Sequence, residues 1–360
     1  MALLDGLRVL DLTMWRPGPY ATQLLAQLGA DVIKVEPPGG EPMRMFGDHF
    51  ELLNQHKRSL VLDLKDPGDR ARCLELAGDA DVFVEGYRPG VADRLGVGHR
   101  AVRELNPRIV YCSLSGYGAE GALAEVPGHD VNYRAYTGAL PPDAVSPDAD
   151  ELPVADMGAA TMAAFAVTAG VLKARETGRG DRIDLGMADV LANWVGTVPM
   201  TKTRNAGAGP LPGYGVYPTS DGGKVTIGVV SEQHLWAATC RALGLERHAG
   251  APFLERLGRV RELDAEIAAA IAPLTRDEAT TLLTAAGAPV APALTRDEMM
   301  HLDHFRQRGV IAEGTVGSPV RTSAHPPLPA GPIAALDQHH GQGWRPADRA
   351  GLNGSPERRG

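Results

Sequence analysis

Three side chains in this sequence are of the types that move protons or carry acyl groups. His129 lies in Gly128-His129-Asp130-Val131-Asn132-Tyr133, just after a glycine- and alanine-rich stretch. Imidazole is the side chain best suited to proton transfer near neutral pH. Asp156 lies in Val154-Ala155-Asp156-Met157-Gly158-Ala159, directly before a run of small apolar residues. A carboxylate there can serve as an N-cap for the helix that follows. In a low-dielectric pocket its pKa can instead rise far enough for work as a base or nucleophile. Glu232, in Ser231-Glu232-Gln233, follows a strand-like run and precedes a helical one, which is also an ordinary surface arrangement. Each of the three has a purely structural reading, and none is specific alone.

Basic residues gather at the ends of predicted strands. Lys57-Arg58 precedes one and Lys65 follows it, while Arg88 sits in Glu85-Gly86-Tyr87-Arg88-Pro89-Gly90 at the end of another. Singly, such charges are solvated; converging on one sheet edge, they suit a phosphate-bearing ligand. No G-x-x-x-x-G-K-[ST] loop is present, and no G-x-G-x-x-G occupies the first strand–helix turn. Both absences count against a nucleotide triphosphatase and an ordinary nicotinamide dehydrogenase.

The elements that must position these residues alternate between strand and helix. Leu7 to Leu12 reads as a buried strand, Arg16-Pro17-Gly18-Pro19 as a turn, and Tyr20 to Leu28 as a helix with Gly29 at its C-cap. Asp31 to Glu36, Ser59 to Leu64, Ala80 to Glu85 and Ile109 to Leu114 repeat the strand signal, with a helix from Asp69 to Leu76 between the second and third of these. Continuous apolar strands alternating with helices predict parallel βαβ units in a Rossmann-like open α/β sheet. Ligands bind such sheets outside the carboxyl ends of the strands, so the loops after Glu36, Glu85 and Leu114 are where a site is expected.

Ala159 to Ala174 is small and apolar nearly all round and predicts a buried helix, followed by a strand at Arg182 to Leu185. From Val225 to Val230 the chain starts a new strand, with helices around Gln233 to Leu243 and Leu263 to Ile271. The expected organisation is a large α/β domain over 1–200, a linker over 201–221 and a smaller α+β domain over 222–310. The tail over 320–360, rich in Pro, Gly, His and Arg, is expected to return to the large domain.

A chain of 360 residues with 44% hydrophobic and 22% charged residues can bury two cores. Its formal net charge of −8 argues against general nucleic-acid binding. Cys73, Cys112 and Cys240 are odd in number and far apart, so buried thiols in a reducing, cytoplasmic setting are expected rather than a disulfide or metal framework. No secretory leader is read at the N-terminus, and no uninterrupted apolar run reaches the ~18 residues of a membrane span.

The chain resembles the family III CoA-transferases and, within them, the α-methylacyl-CoA racemases. The likeness covers most of residues 4–310. It is carried by Gly6-Leu7-Arg8-Val9-Leu10, Pro17-Gly18-Pro19, Leu28 to Glu36, Lys57 to Lys65, Gly86-Tyr87-Arg88-Pro89-Gly90, Asn106-Pro107-Arg108 and Leu114-Ser115-Gly116-Tyr117-Gly118. The stretch Gly128 to Tyr133 is similar to the racemase motif, in which the histidine is one of two bases, and Asp156 matches the second. Glu232 matches the glutamate that partners the histidine.

The resemblance implies a 1,1-proton transfer at the α-carbon of a 2-methylacyl-CoA, with backbone N–H groups near Asp156 to Gly158 stabilising the enolate. It implies CoA contacts at Leu62, Asp63, Leu64 and Lys65, at Arg88, and at Gly128, Asp130, Asn132 and Tyr133. Coenzyme A enters as part of the substrate, with no other cofactor. The implied assembly is an interlocked homodimer, each ring-shaped chain threaded by the other, with no nucleic acid or membrane partner.

Two other functions stand beside the racemase. One is CoA transfer between carboxylates through a covalent Asp156 intermediate; the other is a non-catalytic CoA-binding protein. The sequence departs from the racemase pattern in three places. Pro37 stands where an arginine is usual, leaving Lys34 or Arg44 to replace its phosphate contact. The stretch 141–150 is acidic and proline-rich, and His339-His340-Gly341-Gln342 replaces the usual Gly-Glu-His-Thr.

Overall fold

The computed structural model describes residues 2–142, 144, 152–198, 211–312 and 315–346. They fall into two compact units, one within Met1–Val198 and Asp303–Gly360, the other within Pro199–Leu302. The acidic, proline-rich stretch 141–150 lies largely outside the described residues, as does 201–210.

The large unit runs β1 (Arg8–Leu12), α1 (Pro17–Gln27), β2 (Asp31–Glu36), α2 (Gly47–Leu53), β3 (Arg58–Val61), α3 (Pro67–Gly78), β4 (Val82–Glu85), α4 (Val91–Arg94) and α5 (His99–Leu105). It continues through β5 (Val110–Ser115), α6 (Asp130–Tyr136), α7 (Val154–Thr177), β6 (Arg182–Gly186) and α8 (Met187–Gly196). The six strands form one parallel sheet in the order β3-β2-β1-β4-β5-β6. This is the doubly wound order, and its direction of winding reverses between β1 and β4.

Because successive strand residues point to opposite faces, neighbours such as Val9 and Leu10 serve different cores. Leu10, Ile33, Leu60, Phe83 and Tyr111 pack with residues of α3 and α5 on one face. Val9, Val32, Val82, Val110 and Cys112 pack on the other with Ala21 and Leu25 of α1 and Ala160, Ala163 and Val167 of α7. The small side chains of α7 let that helix lie close to the sheet and to α1. Helix α7 is long and apolar enough by composition to cross a membrane, with a window of mean hydropathy 1.5. Its uninterrupted apolar run, 157–172 between Asp156 and Lys173, stays below the ~18 residues of a span, as the sequence reading has it. In this fold one face of α7 is buried on the sheet. Gly178, at φ 71°, ends the helix in the left-handed conformation that favours glycine.

The chain beyond residue 320 lies along the open edge of β3. Asp337 Oδ1 accepts from Val61 N at 2.9 Å, His339 N donates to Ser59 O at 3.0 Å, and Trp344 Nε1 donates to Leu76 O at 3.1 Å. An exposed strand edge invites pairing with other chains, and this segment covers it.

The second unit has an antiparallel sheet of β7 (Tyr214–Pro218), β8 (Lys224–Gly228) and β9 (Val290–Pro292) in that order. Trp236 and Cys240 of α9 (Gln233–Ala242) pack on this sheet with Leu263, Ile267, Ala279 and Leu283. The linker expected over 201–221 is corrected here: Tyr214–Pro218 pairs with β8 and is the first strand of this unit. Glycine and proline had masked the strand signal of Val216 and Tyr217. The three cysteines are free and buried.

Candidate active site

The first and last crossover helices of the large unit set the site. Both α1 and α7 precede or follow parallel strands and run back against them, so both begin at the carboxyl edge of the sheet. They pack side by side, which brings the β1–α1 loop and the first turn of α7 to the same end of the fold.

Asp156 is the third residue of α7, and Pro153 occupies the N-cap position. The N-cap role considered for Asp156 is therefore corrected. Proline offers no side-chain acceptor, and the cap comes from a different helix: Asp130, the first residue of α6, accepts from Ala155 N at 2.7 Å and from Asp156 N at 3.2 Å through Oδ1. Its other oxygen lies 3.7 Å from Arg134 Nη1. Asp130 thus takes the duty that would have tied down Asp156 and leaves that carboxyl available for chemistry. Two of the N–H groups expected to form an oxyanion hole, those of Asp156 and Met157, are thus occupied. Those of Ala155 and Asp156 are taken by Asp130, and that of Met157 donates to Pro153 O at 3.0 Å.

Burial pushes the Asp156 carboxyl up to about 7, the negative charge of Asp130 adds to the rise, and Arg16 opposes it. A carboxyl poised there is divided between acid and carboxylate near neutral pH, which suits proton exchange and leaves a share of carboxylate for nucleophilic attack. Next to it, Trp194 of α8 leaves no room for a side chain at residue 158: a Cβ on Gly158 would come within 2.5 Å of the indole.

Tyr133 is buried, and its hydroxyl donates to Gly128 O at 2.6 Å. A Cβ at Gly128 would lie 2.9 Å from the Tyr133 ring, and one at Gly116 would lie 2.8 Å from its hydroxyl. Both glycines are there because the ring is. Burial pushes the phenol up to about 12, with further rise from Asp156 and Tyr117, while Arg88 pulls it back. Asp156, Tyr133, Asp130, Arg16 and Arg88 therefore share one electrostatic neighbourhood. His129 precedes α6 and is exposed, its backbone N donating to Asn132 Oδ1 at 3.0 Å. Asn132 is thereby used as a local cap.

Leu62 and Leu64 have buried side chains, so only their backbone could meet a ligand. Asp63 is engaged locally, its N donating to Asp69 at 2.8 Å and its carboxylate accepting from Lys65 N at 3.0 Å. Lys65 and Arg88 are exposed. Arg88 also lines a polar cavity of about 420 Å³ with Glu85, Tyr87, His99, Arg182 and Asp184.

The other cations do not converge on a phosphate. Lys57 Nζ donates to Asp11 Oδ2 at 3.1 Å, Pro19 O at 2.8 Å and Asn54 Oδ1 at 2.8 Å. Lys34 is 1% exposed and bridges Glu41 and Thr13 O, Arg44 is bidentate to Glu36, and Arg58 pairs with Asp31. Lys34 and Arg44, the two candidates to replace the phosphate contact that Pro37 lacks, are thus both paired within the chain. Glu232 belongs to the second unit, where it is exposed and accepts from Val230 N at 3.0 Å as the cap residue of α9. Arg16 was missed in the sequence, where it reads as part of a turn.

The doubly wound sheet thus carries a raised carboxyl, that of Asp156, at its carboxyl edge. The model of CoA-transferase family III matches residues 4–348, and the chain belongs to that family. It is 35% identical over 352 residues to acetyl-CoA:oxalate CoA-transferase of Acetobacter aceti, covering 89% of each chain. It is 31% identical over 319 residues to the α-methylacyl-CoA racemase of Homo sapiens, covering 85% of this chain and 81% of that one. Among solved structures it is similar to Rv3272 of Mycobacterium tuberculosis, with 29% identity, a TM-score of 0.82 and coverage of 94% of this chain and 98% of that one. The fold is that of the CaiB/BaiF structures, including one from Brucella suis at a TM-score of 0.80.

Proposed function

We propose that this chain moves coenzyme A between carboxylic acids through Asp156. The observation that carries this reading is the Asp156 carboxyl itself, partly buried in the first turn of α7, released from capping by Asp130 and raised to about 7. Relatives that act as transferases on oxalate and mesaconate support it.

An Asp156 oxygen attacks the thioester carbonyl; the C–S bond breaks, CoA thiolate leaves, and an acyl–aspartyl anhydride remains. The thiolate attacks the Asp156 carbonyl, releasing the donor acid and leaving an aspartyl–CoA thioester. The acceptor carboxylate attacks that thioester, again expelling the thiolate. The thiolate then attacks the acceptor's acyl carbon, which forms the new acyl-CoA and restores Asp156. Each step exchanges one acyl bond for another.

The racemase is the second reading, favoured by His129 beside Asp130. In it His129 and Asp156 serve opposite faces of the α-carbon. An interlocked homodimer, in which Glu232 of one copy serves the His129 of another, belongs to this family-based reading, and sedimentation of the purified protein tests it.

The deciding assay offers a CoA thioester and a labelled acceptor acid, and in parallel a 2-methylacyl-CoA in heavy water. Transfer that survives His129→Ala and is lost in Asp156→Ala is the expected result. Exchange of the α-proton that needs both residues, without transfer, would make the enzyme a racemase.

The pH profile follows from the raised carboxyl. Attack needs the carboxylate, so kcat/KM is expected to climb with pH and level off above about 7. Asp130→Asn keeps an acceptor for Ala155 N but removes a negative charge. The rising limb then moves to lower pH, and a limb that stays in place would contradict the assignment.

A further inference from the structure

The β1–α1 loop is held with unusual firmness for a surface loop. Thr13 N donates to Asp11 Oδ1 at 2.9 Å, Lys34 Nζ to Thr13 O at 2.8 Å, Trp15 N to Glu41 Oε2 at 2.9 Å, and Lys57 Nζ to Pro19 O at 2.8 Å. Asp11, Lys34, Glu41 and Lys57 are each at most 4% exposed. Within this frame Trp15 takes a left-handed φ of 65°, uncommon for a residue other than glycine. Backbone strain on a loop so anchored is the kind retained where the next side chain must point in one direction.

That side chain is Arg16. It is partly buried at the N-cap position of α1, where its backbone carbonyl accepts from Tyr20 N at 3.0 Å, and its guanidinium makes no hydrogen bond or ion pair with any described residue. It stands at the same end of the fold as Asp156, because α1 and α7 start together at the carboxyl edge of the sheet. It is the cation whose field lowers the Asp156 carboxyl, yet no ion pair joins the two. A guanidinium presents a planar fork of donors that matches a carboxylate, and desolvating it without a partner is costly. CoA phosphates cannot supply that partner while the thioester carbonyl sits at Asp156, because the whole pantetheine arm separates the two. The group within reach is the acyl chain itself.

We propose that Arg16 recognises the distal carboxylate of the acyl group, so that the site selects dicarboxylic acyl-CoA thioesters and dicarboxylic acceptor acids. The inference rests on the reading of Asp156 as the residue that carries the acyl group. A charge-assisted pair in a partly dry site distinguishes a carboxylate from a methyl by roughly 10- to 100-fold. Asp130 does not compete for Arg16, since its oxygens are committed to α7 and to Arg134.

The test has two arms. In the first, oxalate, malonate and succinate are titrated calorimetrically into the CoA-loaded protein beside acetate, propionate and butyrate. In the second, kcat/KM is compared for succinyl-CoA and butyryl-CoA. The wild type should favour the diacid by roughly 10- to 100-fold in each arm. Arg16→Gln should collapse that ratio and Arg16→Lys should restore part of it. A wild type without preference, or a ratio unchanged in Arg16→Gln, overturns the proposal. If no thioester turns over, the transferase reading fails on its own, and the binding arm still decides the role of Arg16.

Discussion

Asp156→Asn is expected to slow CoA transfer by roughly 10⁴-fold or more, since an amide cannot serve as the nucleophile. The same substitution should make the protein more resistant to urea at neutral and alkaline pH. Burial raises the carboxyl from 3.8 to about 7 in the folded chain, so folding disfavours its ionised form. Below about pH 4 the group is protonated in both states and the substitution is nearly neutral. As pH rises toward 7 the unfolded chain gains from ionising and the folded chain does not. The wild type is thereby weakened by on the order of 2–4 kcal/mol. Above that range the difference is constant. Urea titrations of both proteins at acidic and alkaline pH check the sign. A variant less stable than wild type at alkaline pH would mean that the carboxylate is structurally satisfied and not held in reserve.

The second large effect concerns Lys57. Burial pushes the Asp11 carboxyl up, but Lys57 and Lys34 with the hydroxyls of Thr13 and Thr22 outweigh it and hold the group at about 2. Lys57→Met removes the nearest of these cations and leaves a fully buried carboxylate facing an apolar side chain. The expected loss is about 3–5 kcal/mol, the cost of stranding one half of a buried pair. Adding Asp11→Asn to Lys57→Met should recover a substantial part of that loss, since the stranded charge is then gone. A thermodynamic cycle of the two single variants and the double variant measures the coupling. Simple additivity would show that the pair does not act as a unit. The network also holds the loop that carries Arg16, so Lys57→Met should weaken discrimination between diacids and monoacids.

Much of the large unit could be read in the sequence because parallel strands buried on both faces leave continuous apolar runs. Val9 to Leu12, Val32 to Glu36 and Val82 to Glu85 stand out for that reason, although Gly18, read as part of a turn after the first of them, lies inside α1. The strand Tyr214–Pro218 was hidden because its pairing with β8 is a tertiary fact and its composition is that of a loop. Asp156 was recognisable from its place before a small-residue helix, but its role was not. Whether it caps α7 depends on Asp130, some 26 residues away in sequence, whose carboxylate reaches the same N–H groups. Lys34, Lys57 and Arg44 read equally well as phosphate ligands, because burial and pairing leave no local trace in the sequence. Arg16 had no signal beyond a proline-flanked turn; its interest comes from a guanidinium without a partner among the described residues.

The covalent state of Asp156 during turnover tests the central claim most directly. The protein is mixed with a CoA thioester, trapped by rapid acid quench and digested, and the peptide containing Asp156 is weighed. Transfer through this residue predicts that a fraction of that peptide carries CoA as a thioester, removable by hydroxylamine and absent in Asp156→Asn. Turnover that proceeds with the peptide unmodified throughout would contradict the account and leave Asp156 as a base.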